Sequence, residues 1–157
     1  MNEQNHTIII ERTFSHPKAA LWRAITQANA ISAWFGPAGF STRIEEHDFR
    51  AGGAYHYVMI GPDGKEYPSV GRFIEIIENE KLVATDEFGE GFEYDKPLPS
   101  QMVTTYTFSD HPNGSTLTIS VSHPTEADRQ KHIDMGVIDG WNSSLDCLED
   151  HLSRKDA

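Results

Sequence analysis

Three polar side chains interrupt the apolar face of the predicted sheet, and their types make them the residues most able to do chemistry. They are Arg72, Asp86 and His123. An unpaired charge on a buried face is costly, whereas a hydrogen-bonded pair is tolerable. We therefore predict that Arg72 and Asp86 contact each other near one end of the sheet. The pair is either a satisfied ion pair without a ligand role or a polar anchor for an otherwise apolar ligand.

His123 ends its predicted strand directly before Pro124. A histidine at that place is solvated, or caps the next turn, or lies at a pocket rim as a hydrogen-bond donor or general acid. Together with Asp86 and Glu75, it is a candidate acid or base for a cyclase-like or hydrolase-like enzyme.

No catalytic motif accompanies these residues, since the chain has no Gly-x-Ser-x-Gly elbow, phosphate loop or dinucleotide glycines. The single cysteine, Cys147, excludes an internal disulfide and a thiolate zinc site, and its place beside an apolar stripe predicts an inert thiol. The eight histidines are scattered, and His132 with Asp128 or Asp134 forms at best a weak metal-binding pair. We expect no metal, no cofactor and no catalytic residue, although an enzyme is not excluded.

The net charge of the chain limits the classes of partner that it can bind. Its 157 residues include 13 Lys and Arg against 24 Asp and Glu, for a formal net charge of −11. Such a charge disfavours binding to nucleic acids and to anionic membranes. No apolar run is long enough to span a membrane, and the N-terminal sequence does not resemble a signal peptide. We expect a cytoplasmic protein, either a monomer or a weak homodimer.

The apolar periodicity predicts a strand, two short helices, about six antiparallel strands and a long C-terminal helix. The strands are typified by His6–Phe14, Ala54–Ile60, Val70–Ile77, Lys81–Phe88, Gln101–Ser109 and Ser115–His123. Ile138, Trp141, Leu145, Leu148 and Leu152 form the apolar stripe of the last helix. Because only this helix can cover the sheet, we predict an α+β helix-grip fold, with a curved antiparallel sheet of six or seven strands wrapped around it. The prediction is one domain over residues 1–157, with a core of about 6–154.

The registers of two predicted hairpins determine which side chains share a face of the sheet. A turn at Asn113-Gly114 would place Phe108 opposite Ile119, Tyr106 opposite Val121 and Thr104 opposite His123. The hairpin around Asn79 has two registers, and we prefer the one that matches apolar faces. Its pairs are Ile76 with Leu82, Ile74 with Ala84, Arg72 with Asp86, and Val70 with Phe88.

Sixteen aromatic residues, 3 Trp, 5 Tyr and 8 Phe, could fill a core or line a pocket. Trp22, Trp34 and Trp141 lie on predicted helices and either pack there or contact a ligand, with Trp141 the best pocket candidate. The alternation leaves Tyr55, Tyr57 and Phe73 unassigned to a face. Phe92 and Tyr94, in the loop after Phe88, either cover an entrance or belong to a disordered loop.

Several short motifs resemble one family in their order and spacing. They are His16-Pro17, Leu21-Trp22-Arg23-Ala24, Trp34-Phe35-Gly36-Pro37, Arg50-Ala51-Gly52-Gly53, Pro62-Asp63-Gly64-Lys65-Glu66-Tyr67, Gly71, Glu75, Thr116-Leu117-Thr118 and Gly136 to Gly140-Trp141 ahead of Leu145 and Leu148. The chain thus resembles the homologues of the activator of Hsp90 ATPase, within the START-like (Bet v 1-like, SRPBCC) superfamily, from about residue 8 to 152. The resemblance implies a cavity between the sheet and the long helix.

The leading functional prediction is a binding module for a small hydrophobic or amphipathic molecule. The alternatives are a chaperone-regulating or stress-linked interaction protein, as the family name suggests, and an enzyme that uses the cavity. The candidate ligand-binding residues are Trp34, Tyr57, Arg72, Ile74, Asp86, Phe88, Tyr106, Phe108, His123 and Trp141.

Overall fold

The computed structural model describes residues 6–155. Its strands are β1 (Thr7–Phe14), β2 (Ser41–His47), β3 (Ala54–Ile60), β4 (Glu66–Ile77), β5 (Lys81–Phe88), β6 (Met102–His111) and β7 (Gly114–Ser122). Its helices are α1 (Lys18–Thr26), α2 (Ala28–Trp34), α3 (Glu126–Asp134) and α4 (Val137–Lys155).

The strands form a curved antiparallel sheet in the order β1-β7-β6-β5-β4-β3-β2. Every hydrogen-bonded neighbour pair except β1–β7 is consecutive in sequence, so short hairpins and loops connect most of the sheet. The concave face packs against α4, and α1 and α2 also contact the sheet. The predicted helix-grip fold is therefore confirmed.

Helix α4 is held by an apolar stripe that contacts the core. Leu145, Leu148 and Leu152 are at most 3% exposed. Ile138, which we assigned to this stripe, is 40% exposed, and Val137 packs against the core instead. The helix begins directly after Gly136, whose φ of 86° interrupts the helical conformation between α3 and α4.

The predicted register of the β6–β7 hairpin is wrong by two residues. His111 pairs with Gly114, so Pro112 and Asn113 form the turn, and Phe108 lies opposite Leu117. Gly114 begins β7, and only glycine fits there because a Cβ would lie 2.0 Å from the carbonyl oxygen of Phe14. A shift of two residues preserves the face of every side chain, so the inner face is as predicted.

The register around Asn79 is correct only near the turn. Ile76 pairs with Leu82 as predicted, but a β-bulge lies between Phe73 and Glu75. Beyond the bulge Phe73, not Ile74, pairs with Ala84, and Ser69, not Val70, pairs with Phe88. Because the slip is a single residue, it exchanges the two faces of β4 over its first half.

Candidate functional site

A cavity of about 560 Å³ lies between the concave face of the sheet and the helices, and we call it the central cavity. Strands β3 to β6 form one wall, while α2, the end of α3 and the start of α4 form the other. Its volume falls within the range of small-molecule sites, roughly 300–1,000 Å³. Trp141 and Ser144 of α4 line the cavity, whereas Leu145 and Leu148 of the same helix are buried in the core.

Aromatic rings make up most of the cavity wall. Trp141 of α4 meets Phe35 and Tyr106 edge to face, with ring centroids 6.0 and 6.1 Å apart. Phe35 also contacts Tyr57, whose ring lies 4.8 Å from that of Tyr55. Edge-to-face pairs of this kind stabilise ring packing by roughly 0.5–1.5 kcal/mol each. The central cavity is therefore lined by aromatic rings that pack on one another.

The loop after β5 forms the mouth of the central cavity. Phe92 packs against Phe88 with centroids 4.6 Å apart and against Tyr67 at 5.7 Å. The ammonium of Lys65 lies 5.6 Å from the centre of the Tyr67 ring. Tyr94 also lines the cavity and is 38% exposed. Phe92 is thus placed over the entrance by ring contacts.

Asp86 supplies a carboxyl group to the cavity wall. It lies on the inner face of β5, where the hydroxyl of Thr104 donates to Oδ2 at 3.5 Å. Burial, reinforced by the nearby charge of Glu87, raises the pKa of Asp86 to about 6. Within residues 6–155, no ion pair includes Asp86. The carboxylate therefore faces the cavity without a cation.

The predicted contact between Arg72 and Asp86 is wrong. The bulge at Ile74 turns Arg72 to the outer face, where its backbone N–H donates to the Thr85 hydroxyl at 2.9 Å. Its guanidinium donates to the carbonyl of Gly52 at 3.1 Å. Ile74 is likewise on the outside and 51% exposed. Neither Arg72 nor Ile74 lines the central cavity.

Two hydrogen-bonded histidines lie at the cavity wall, His132 in the wall itself and His123 behind it. His123 Nδ1 is 2.7 Å from the carbonyl oxygen of His6, and its Nε2 is 3.0 Å from His132 Nδ1. His132 lines the cavity and its ring edge contacts Phe88. Burial, followed by the charge that His123 would carry, lowers the pKa of His132 to about 4. Burial also lowers the pKa of His123.

His123 is 6% exposed and does not line the central cavity, so it is neither solvated nor at the rim. The residue that reaches the cavity is its partner His132, which sequence reasoning considered only as a weak metal ligand. The mostly polar sequence of α3 gives no apolar period that would mark an inner face. Its position could not be read from the sequence.

Tyr57 belongs to a second hydrogen-bond chain. His47 Nε2 lies 2.7 Å from the carbonyl oxygen of Thr26, and its Nδ1 lies 2.6 Å from the Tyr57 hydroxyl. A bulge in β2 between Ile44 and Glu46 turns His47 toward the interior. Burial raises the pKa of Tyr57 above its usual range. This chain fixes the Tyr57 ring in the wall.

The remaining candidates divide between the cavity and the core. Phe108 is 2% exposed and packs against Trp22 under α1, with centroids 5.3 Å apart, so it belongs to the core. Glu75 pairs with Lys81 at 3.2 Å on the outside. Of the three candidate acids or bases, only Asp86 lines the cavity. The predicted binding residues that do so are Trp34, Tyr57, Asp86, Phe88, Tyr106 and Trp141.

The described part of the chain contains neither a cluster of metal ligands nor a helix that could span a membrane. Across residues 6–155, no three His, Cys, Asp or Glu side chains gather as metal ligands would. Over the same residues, no helix has both the length and the apolar character needed to cross a bilayer. Cys147 is partly exposed, and desolvation raises the pKa of its thiol.

The family model described as "Activator of Hsp90 ATPase homolog 1-like protein" matches residues 15–153. None of the curated proteins matches the chain. Among solved structures, a protein from Mycobacterium smegmatis is 25% identical, with a TM-score of 0.85 and coverage of 98% of this chain and 95% of the other.

Two further solved structures are similar over nearly their whole length. A Staphylococcus epidermidis protein is 29% identical, with a TM-score of 0.79 and coverage of 96% of this chain and 91% of the other. A Chromobacterium violaceum protein is 28% identical, with a TM-score of 0.75 and coverage of 94% and 96%. The fold and the sequence thus indicate the same relatives.

Proposed function

Since the chain belongs to the Activator of Hsp90 ATPase homolog 1-like family, we propose that it binds a small hydrophobic or amphipathic molecule in its central cavity. The observation that carries this proposal is the ring-lined space of about 560 Å³. Protein interiors are otherwise packed as densely as organic crystals, with few voids larger than a water molecule. A space of this size among aromatic side chains fits a ligand better than it fits a structural role.

Gly140 supports the proposal from the helix side. It lies within α4 and lines the cavity, and a Cβ added there would have nothing within 4 Å. Glycine inside a helix costs about 0.5–1 kcal/mol relative to alanine. The chain thus carries a destabilising residue at a position where a larger one would fit. Its effect is to keep volume open beside Trp141.

The test is a titration with N-phenyl-1-naphthylamine, a neutral apolar dye that fluoresces when it leaves water. We expect saturable binding of one dye per chain. Gly140→Phe should lower the affinity at least about tenfold, because the new ring occupies the space that the dye needs. Gly140→Ala is the matched control and should bind the dye like the wild type.

Circular dichroism establishes that both variants are folded before the titration. Equal dye affinity in Gly140→Phe and the wild type would place the dye elsewhere and contradict the proposal. Absence of saturable binding in the wild type would contradict it as well.

A second candidate is regulation of a chaperone ATPase, and the observation that favours it is the description of the matching family. It predicts that the chain stimulates the ATPase of a purified Hsp90-type chaperone in a dose-dependent way. Gly140→Phe would leave this stimulation unchanged if the interaction surface is external. A chaperone rate that does not respond to saturating protein would end this candidate.

A further inference from the structure

We propose that the ligand of the central cavity carries an ammonium group, which Asp86 binds through a charged hydrogen bond. This inference rests on the proposed function, because it names the chemical class of the molecule that occupies the same cavity. The ligand would be an apolar or aromatic body bearing one primary amine. Its apolar part would lie among the rings and its amine would point at β5.

The first argument is that no cation of the described residues accompanies the Asp86 carboxylate. It faces the cavity, and the cation that sequence reasoning assigned to it, Arg72, lies on the outer face of the sheet. Lys65 also lines the cavity, but it is an exposed residue at the mouth. In the register that pairs Val70 with Glu87, Asp86 lies opposite Gly71, and the backbone of Lys65 is six residues further along, or roughly 20 Å. A buried carboxylate without a cation gains most from a ligand that brings one.

The second argument is that several donors in the wall already have acceptors in the protein. The Tyr55 hydroxyl donates to the carbonyl of Thr85 at 2.8 Å, and the Trp34 indole N–H donates to the carbonyl of Ala24 at 2.7 Å. Once its hydrogen is donated, a tyrosine hydroxyl has only lone pairs to offer a ligand. The Tyr55 hydroxyl, which also lies within hydrogen-bonding reach of the Asp86 carboxyl, therefore has no further proton to donate to a ligand.

Tyr57 and His47 give the same result. A carbonyl can only accept, so His47 Nε2 must donate to Thr26 O. In the neutral imidazole Nδ1 then carries the lone pair, and the Tyr57 hydroxyl donates to it at 2.6 Å. The Tyr57 oxygen also presents acceptor character to the cavity.

The histidine pair behind the wall follows the same logic. His123 Nδ1 must donate to the carbonyl of His6, which leaves Nε2 of neutral His123 as an acceptor. His132 Nδ1 therefore donates to it at 3.0 Å, and the lone pair of neutral His132 is on Nε2. Neutral His132, which lines the cavity, therefore has no N–H left to donate to a ligand. The hydroxyls of Tyr106 and Ser144 can do either, so they do not discriminate.

The third argument is the ring surface around the carboxylate. Tyr55 and Tyr106 lie close enough to Asp86 for its charge to raise their pKa values, in addition to the effect of burial. The faces of aromatic rings attract ammonium ions, and more strongly when water is excluded. Acceptors, rings and the buried Asp86 carboxylate together favour a cation over a neutral molecule, and the carboxylate repels an anion.

The experiment compares three ligands that share one apolar body. These are 4-phenylbutylamine, 4-phenylbutan-1-ol and 4-phenylbutyrate, each titrated by calorimetry at pH 8, where Asp86 is ionised. We expect the amine to bind at least about tenfold more tightly than the alcohol, since a charge-assisted hydrogen bond is about twice as strong as a neutral one. The carboxylate should bind most weakly.

Asp86→Asn should remove the advantage of the amine and leave the affinity for the alcohol within about threefold of the wild type. Glu87→Gln is the matched control. It removes the same charge from the next residue, which faces the other side of β5, where the Glu87 carboxylate accepts the backbone N–H of Gln101 at 2.7 Å. This control should keep the preference for the amine. Circular dichroism checks that each variant is folded.

The remaining outcomes of the titrations separate the ammonium inference, the role of Asp86 and the proposed function. Equal or tighter binding of the alcohol or the carboxylate contradicts the ammonium inference while leaving the proposed function intact. An amine preference that survives in Asp86→Asn shows that Asp86 is not the anchor. If the dye binds in the cavity and none of the three compounds does, the ammonium inference fails alone; if the dye fails too, the proposed function fails with it.

Discussion

At the scale of single residues, the raised pKa of Asp86 follows from the burial of its carboxyl group on the inner face of β5. The alternation of β5 indicated correctly that its side chain points inward. The partner assigned to it was wrong, because one bulged residue on β4 carried Arg72 to the other face. A face can be read from periodicity within a strand, whereas a cross-strand partner also depends on the neighbour's irregularities.

Asp86 should make the protein more stable in acid than in base. Its pKa is about 6 in the folded state against an ordinary 3.8, so between these values the folded chain holds a proton that the unfolded chain has lost. The contribution is present below pH 3.8 and lost as the pH rises through 6. We expect Asp86→Asn to be more stable than the wild type by about 3 kcal/mol at pH 8 and by about 1 kcal/mol at pH 4.5.

Denaturant unfolding of both proteins at the two pH values measures this difference, with Glu90→Gln, at an exposed carboxylate, as the control for general loss of charge. A gain that is equal at both pH values would show that the carboxylate of Asp86 is not destabilised by burial.

His132 should act in the opposite sense. Its pKa is lowered from 6.5 to about 4, so the unfolded chain gains a proton first as the pH falls. The stability associated with neutral His132 is fully present above pH 6.5 and is lost as the pH falls toward 4. His132→Gln should therefore lose less stability than the wild type between pH 7 and pH 4.5, as measured by the same unfolding experiment. An identical loss in both proteins would contradict the lowered pKa.

At the scale of elements, two bulges place the side chains of the site. The bulge in β2 turns His47 inward, and the bulge in β4 turns Phe73 inward and Ile74 outward. Both residues at the β4 bulge are apolar, so the sequence pattern fits either face. The strands, their order in the chain and the long helix could be predicted from periodicity. The faces on which the side chains at the two bulges lie could not.

Gly71 should tolerate no side chain. A Cβ there would lie 2.1 Å from the carbonyl oxygen of Thr85 and 2.5 Å from the Tyr55 ring, and both are held by their mutual hydrogen bond. We expect Gly71→Ala to destabilise the protein by about 2 kcal/mol or more. Gly140→Ala, where the Cβ meets open space, should stabilise it by about 0.5–1 kcal/mol.

Thermal unfolding of the two variants beside the wild type tests this contrast. A Gly71→Ala variant as stable as the wild type would show that β4 does not approach β5 and Tyr55 as closely as the structure indicates.

At the scale of the whole molecule, the fold could be predicted because only one helix was long and amphipathic enough to cover the sheet. The existence of a cavity could not, because the same aromatic residues can fill a core or surround a space. Phe108 and Trp22 show the first use and Tyr106 and Trp141 the second, although both pairs lie between the sheet and helices. The distance between layers decides which use applies, and it is a property of the folded chain.

The central claim is that the space beside Gly140 is a ligand site, and a crystal structure of the complex with N-phenyl-1-naphthylamine tests it most directly. We predict dye density between β5–β6 and α4, in contact with Tyr106 and Trp141. Dye density confined to the outer surface, with the central cavity collapsed or holding only water, would contradict the claim.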